Sequence, residues 1–154
     1  MLIHSYLRNG AVYVPTVVRL QTGAYVDVEP VAVTTVADTD GLRRAFLDAV
    51  ARKNAIVPPP PKDKWPPPVL LKYAGVKTWS AFARNASIWS IEETEGNYQI
   101  VGYRDHPDGY WAPDPEKKID FPPGSRVEVV IDRMIAILQD AARQQADGFN
   151  ALDG

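Results

Sequence analysis

At 154 residues, 45% hydrophobic and 23% charged, the chain has the make-up of one globular domain, long enough to bury roughly two-thirds of its unfolded surface without covalent staples. The absence of Cys excludes disulfide scaffolds, thiolate catalysis and cysteine zinc sites. A formal charge of −2 lacks the basic footprint of a nucleic-acid binder, and no apolar run reaches the roughly 18 residues of a bilayer span, so the expected address is the cytoplasm.

Residues 2–8 run into Asn9-Gly10, the dipeptide that best tolerates the positive φ angles of a two-residue hairpin turn, and the β-branched run 11–20 follows. Thr22-Gly23 marks a second turn before an alternating stretch over 24–36, in which Tyr25, Asp27, Glu29, Val31 and Val33 share one face. Pro15 and Pro30 lack ladder donors, so bends, bulges or an edge are expected there. Helical spacing takes over after Asp38-Thr39, either of which can cap, with Leu42, Ala45, Phe46, Ala49 and Val50 on one face.

Seven of the fourteen prolines fall within 58–68, around Lys62-Asp63-Lys64-Trp65, and predict a stiff extended strap that Trp65 pins to its own domain. Residues 69–73 read as a short apolar extended piece. Two strands, 86–94 and 97–104, flank the turn Glu95-Gly96 as a second hairpin, and 105–115 reads as a polar loop holding Tyr110 and Trp111. Ser125-Arg-Val-Glu128 fits a reciprocal capping box ahead of a helix whose apolar face runs from Val127 to Ala142.

The expected architecture is α+β: one domain over 1–143, with an antiparallel sheet from two hairpin regions, two amphipathic helices on one face, and a frayed tail over 144–154.

The chemistry of reaction centres is largely missing. His4 and His106 lie far apart in sequence, no Gly-x-Ser-x-Gly or phosphate loop occurs, and His106-Pro107-Asp108 has a β pattern leading in and a Tyr-Trp loop leading out, where a J-domain has two antiparallel helices. No catalytic residue, metal or cofactor is expected. Charge is instead unevenly spread. Residues 1–77 carry ten Lys/Arg against six Asp/Glu, and residues 78–154 carry seven against thirteen. The excess lies in window 92–116, where Glu92, Glu93, Glu95, Asp105, Asp108, Asp114 and Glu116 face one base, Arg104. With Tyr110 and Trp111 as rigid anchors, these acids are the expected contact residues for a basic protein partner.

The segments Tyr73-Ala-Gly-Val-Lys-Thr-Trp79-Ser-Ala-Phe82, Ala86-Ser-Ile-Trp89, Gly96-Asn-Tyr98-Gln-Ile, Gly109-Tyr-Trp111 and Phe121-Pro-Pro-Gly, through Val130-Ile-Asp-Arg-Met-Ile135, resemble a family of bacterial immunity proteins. These belong to contact-dependent growth inhibition systems. The resemblance covers about residues 40–142 and rests on aromatic and glycine positions. It implies a non-enzymatic protein that binds a cognate toxin domain, a basic nuclease, and covers its active site or substrate surface, with no nucleic acid, membrane or small molecule as ligand. Two alternatives stand beside it: a small enzyme applying the carboxylates of 92–116 to a cationic substrate, and an adaptor that uses the proline strap.

Overall fold

The computed structural model describes residues 1–105 and 111–153, with the side chains of Asp105 and of 148–153 left aside. Its strands are β1 (Leu2–Arg8), β2 (Ala11–Leu20), β3 (Tyr25–Thr35), β4 (Ile56–Val57), β5 (Ala86–Thr94), β6 (Asn97–Asp105) and β7 (Trp111–Asp120). The helices are α1 (Thr39–Arg52), α2 (Leu70–Ala74), α3 (Trp79–Ala83) and α4 (Val127–Asp153). The strands form one sheet in the order β3-β2-β1-β5-β6-β7, antiparallel throughout, except that β4 pairs parallel with β2.

The expected α+β class is borne out, and both hairpin turns form for the reason the sequence suggests. Asn9 and Gly10 sit at φ 52° and 78°, and Glu95 and Gly96 at 53° and 82°. Two successive left-handed residues match the right-handed twist of the flanking strands. β3 slips register against β2 between Pro15 and Thr16, which ejects Glu29 and Pro30 as a bulge.

α1 and α4 pack on one face over Ile3, Leu7, Val12, Val14, Ile91 and Ile100, and contribute Leu42, Phe46, Ile131, Met134 and Leu138 to that core. Asp38 caps α1 by accepting from the Gly41 N–H at 3.0 Å. α4 begins differently from the expected capping box. The Ser125 hydroxyl donates back to the Pro122 carbonyl at 2.6 Å, so it tightens the entering turn instead of capping the helix. Helical backbone then continues to Asp153, beyond the point near Gln144 where the apolar periodicity fades.

A second, smaller core lies on the opposite face, where α2 and α3 cover Tyr6, Tyr13 and Ile88 with Leu70, Leu71 and Phe82. Phe82 stacks on Trp79 at 5.1 Å and meets Tyr6 and Tyr13 edge-on, each at 5.8 Å. The extended piece expected over 69–73 is therefore helical. Buried Leu70 and Leu71 anchor its single turn, and Gly75 at φ 68° closes it in the left-handed conformation.

β1 and β2 part toward one end of the sheet, and Asn54 fills the gap. Its side chain accepts from the Leu2 N–H at 2.8 Å and donates to the Leu2 and Val17 carbonyls at 2.9 Å. The amide thus stands in for a strand and steers β4 alongside β2. The strap leaves from β4. It is exposed apart from half-buried Pro60, and Trp65 is 50% accessible, so Trp65 does not pin the strap to the domain.

Candidate partner-binding site

The acid-rich window spans the meander β5-β6-β7, which occupies one lateral half of the sheet. Glu92 and Glu93 are neighbours in sequence and therefore point to opposite faces of β5. Glu92 lies on the face away from α1 and α4 and accepts from Gln99 Nε2 at 2.5 Å. Beside it, burial pushes the Tyr103 hydroxyl above its ordinary range, partly offset by a hydrogen bond with Ser90 and reinforced to a smaller degree by the Glu92 charge. Glu93 is on the helix face, where it accepts from the Gly96 N–H at 2.9 Å and stands 3.8 Å from the terminal ammonium of Met1. Tyr98, its register partner, is held above the usual tyrosine range by burial, then by Glu93 and Glu128. Glu95 is exposed at the tip of the turn.

A shallow groove at this end is lined by Glu95, Asn97, Tyr98, Gln99, Asp120 and Phe121. Asp120 and Glu128 thus join the acidic end although both lie outside the charge-rich window. Only the pairing of β6 with β7 and the start of α4 bring them near, so a linear charge count misses them.

The other predicted contact residues lie elsewhere. Asp105 pairs with Trp111 at the far end of the meander, six residues along β6 from Gln99, the partner of Glu92, or about 20 Å away. Residues 111–120 form an edge strand, not the loop expected over 105–115. Backbone pairing with β6 holds it despite Pro113 and Pro115, which an edge strand tolerates. Trp111 is half-buried against the smaller core. Asp114 accepts from the Glu116 N–H at 3.0 Å, and Glu116 is exposed. Asp108 and Tyr110 lie outside the described residues. The described acids thus edge the β5-β6-β7 half as a ribbon that spans both of its faces, with Glu92, Glu93 and Glu95 at one end and Asp114 and Glu116 on the edge strand β7.

One polar cluster had no signal in the sequence. Asp27 accepts from Tyr6 at 2.5 Å and lies 2.7 Å from His4 Nδ1, bridging β3 to β1 across β2. Burial, followed by the Asp27 charge and hydrogen bond, pushes the Tyr6 hydroxyl well above its ordinary value. Ser90 is the register partner of His4 but is fully buried, with its hydroxyl 3.4 Å from that of Tyr103. Both carboxylate oxygens of Asp27 are occupied within the fold, so the cluster fastens strands together. Among the described residues, no three His, Asp or Glu side chains converge as a metal site, and no helix is long and apolar enough to cross a membrane.

The charged half is thus carried on the β5-β6-β7 side of an α+β sheet. No family model and no curated protein matches the chain. Its fold is nevertheless one found in solved structures. It is similar to a chain of the CdiA-CT/CdiI toxin and immunity complex from Yersinia pseudotuberculosis, with TM-score 0.60 and 14% identity over 92% of this chain and 95% of that one. It is also similar to a protein of unknown function from Neisseria meningitidis, with TM-score 0.60 and 14% identity over 85% and 88%.

Proposed function

We propose that this chain is an immunity protein that binds a cognate toxin domain and blocks it. The observation that carries this reading is the fold shared, nearly end to end, with a chain of a toxin–immunity complex. The family resemblance at Trp79, Trp89, Tyr98 and Phe121 supports the same reading. The partner we propose is a basic nuclease domain, met in the cytoplasm by the acidic ribbon: Glu92, Glu93, Glu95, Asp105, Asp108, Tyr110, Trp111, Asp114 and Glu116. A basic nucleic-acid surface is drawn to such a ribbon at long range, and steering raises association rates by orders of magnitude at low salt. On this reading inhibition needs no turnover by the immunity protein itself.

The test uses the product of the neighbouring upstream toxin reading frame. Glu95 and Glu116 are exposed and can be reversed without disturbing the fold. The double variant Glu95→Lys, Glu116→Lys is expected to slow toxin association about tenfold at low salt, as measured by stopped flow, and to weaken protection of cells. An unchanged association rate rules out the acidic ribbon as the docking surface. Absence of any complex between the two wild-type proteins rules out the immunity reading.

A further inference from the structure

We propose that two copies of this chain pair edge to edge through residues 31–35 of β3, joining their sheets into one. β3 ends the sheet, and among the described residues no strand lies beyond it. An uncovered edge is a row of backbone donors and acceptors ready for another strand. Strand register tells which groups it presents. The Val36 N–H donates to the Gly10 carbonyl at 2.9 Å, and the hydrogen-bonded pairs of the ladder then recur every second residue, Val12 with Thr34 and Val14 with Ala32. The amides of Ala32 and Thr34 therefore turn inward to β2, and those of Val31, Val33 and Thr35 turn outward.

The two edges of the sheet are built differently. β7 carries Pro113 and Pro115, which lack donors, and the exposed charges of Lys117 and Lys118, all of which discourage another strand. β3 is guarded at its middle, where Glu29 and Pro30 bulge out and α2 is tied on: the Tyr73 hydroxyl donates to Glu29 at 2.6 Å, and Lys72 pairs with the same carboxylate. Past Pro30 the edge is bare. Val33 is 47% accessible, Thr35 is exposed, and residues 30–37 hold no charged side chain. α1 packs over β2 and β3, so the α1 helices of two joined copies stand on one face about 10–14 Å apart, at least one helix diameter.

The bare stretch is complementary to itself. A two-fold axis perpendicular to the sheet at Val33 sets that residue opposite its own copy, Val31 opposite Thr35, and Ala32 opposite Thr34. Each Val33 N–H then donates to the Val33 carbonyl of the other copy, and each Thr35 N–H to a Val31 carbonyl. The Val31 N–H groups meet the Thr35 carbonyls, which also accept from the Asp38 N–H at 3.1 Å within their own chain. Moving the axis by one residue would bring either the bulged Glu29 or the turn at Ala37 into the ladder. The opposed side chains, Val with Val and Val with Thr, are pairs that adjacent strands favour, and no like charges face each other. Each copy uses its one bare edge, so the assembly closes as a dimer. A basic toxin domain finds no carboxylate on this stretch, which favours the second copy as its occupant. The joint lies on the edge opposite the acidic ribbon, so this inference does not rest on the toxin reading.

Sedimentation equilibrium of the full chain, from micromolar to millimolar concentration, tests it. The mass is expected to rise from that of one chain to that of two. Val33→Lys sets two ammonium groups against each other at the axis and is expected to raise the dimer dissociation constant about tenfold or more. Urea melting of that variant at low concentration is expected to match the wild type, because the side chain is half exposed in the single chain. Amide hydrogen exchange of the wild type supplies a readout that needs no variant. The Val31, Val33 and Thr35 amides are expected to slow as concentration rises, whereas those of Ala32 and Thr34 are slow throughout. A single-chain mass at millimolar concentration, a dimer indifferent to Val33→Lys, or exchange at Val31, Val33 and Thr35 that ignores concentration overturns the proposal. Protection of these amides by an added toxin domain, but not by concentration, assigns the edge to the toxin and overturns it as well.

Discussion

Tyr6 shows how one side chain couples the fold to pH. Its hydroxyl is buried and donates to Asp27, so ionising it would bring a second negative charge against a carboxylate out of water. The folded-state value is therefore raised above the ordinary 10.0. The folded chain holds this proton where the unfolded chain has lost it, so the contribution of Tyr6 to stability is constant below about pH 10 and falls as pH climbs from there toward the folded value. Tyr98 and Tyr103 are shifted in the same direction and steepen the decline. Tyr6→Phe is expected to cost about 1–2 kcal/mol at pH 7, for the lost hydrogen bond, and to flatten the loss of stability between pH 10 and 11. Urea melts at several pH values measure both, and an alkaline slope identical to that of the wild type would discard the account. This partnership was invisible in the sequence because His4 and Asp27 meet across an intervening strand, which only the strand order reveals.

Among the elements, legibility followed the strength of local rules. The turns at Asn9-Gly10 and Glu95-Gly96 need positive φ, and α1 and α4 are long enough for a 3.6-residue period to show, so all four could be read directly. β7 could not, because Glu116-Lys117-Lys118 between prolines gives no alternation, and its stability comes from pairing with β6. α2 and α3 span five residues each, too short for a period, and exist because Leu70, Leu71 and Phe82 are buried on the sheet. The candidate site was half legible for the same reason: the acidic residues were evident in one dimension, whereas the opposed facing of Glu92 and Glu93 and the arrival of Asp120 depend on pairing. The strap and the helices it feeds differ sharply in energetic weight. Phe82→Ala is expected to destabilise the fold by about 3–5 kcal/mol, as the loss of a fully buried aromatic does. Trp65→Ala, at a half-exposed position outside both cores, is expected to shift stability by no more than about 0.5 kcal/mol. Chemical denaturation of the two variants makes the comparison, and a large loss at Trp65 would mean that the strap is packed after all.

At the scale of the whole molecule, the uneven charge of the two sequence halves becomes an uneven charge in space. Strands β1 to β4 with α1, together with the strap and α2 that follow them, come from the cationic half of the sequence, and β5 to β7 with α4 come from the acidic one. Each side is built mainly from local pairings. They meet where β1 pairs with β5, and there Ser5 and Trp89, for example, are 84 residues apart in the chain. Closing so long a loop is the slow kind of step in forming a sheet, because its entropic cost precedes any contact that rewards it. Opposite net charges on the two folding units draw them together during that search. Refolding of this chain is accordingly expected to slow as salt is raised from low ionic strength, with the unfolding rate little altered, and a folding limb insensitive to salt in stopped-flow measurements would remove this role. The polarity that offers a surface to partners thus also guides the chain's own two halves to their seam.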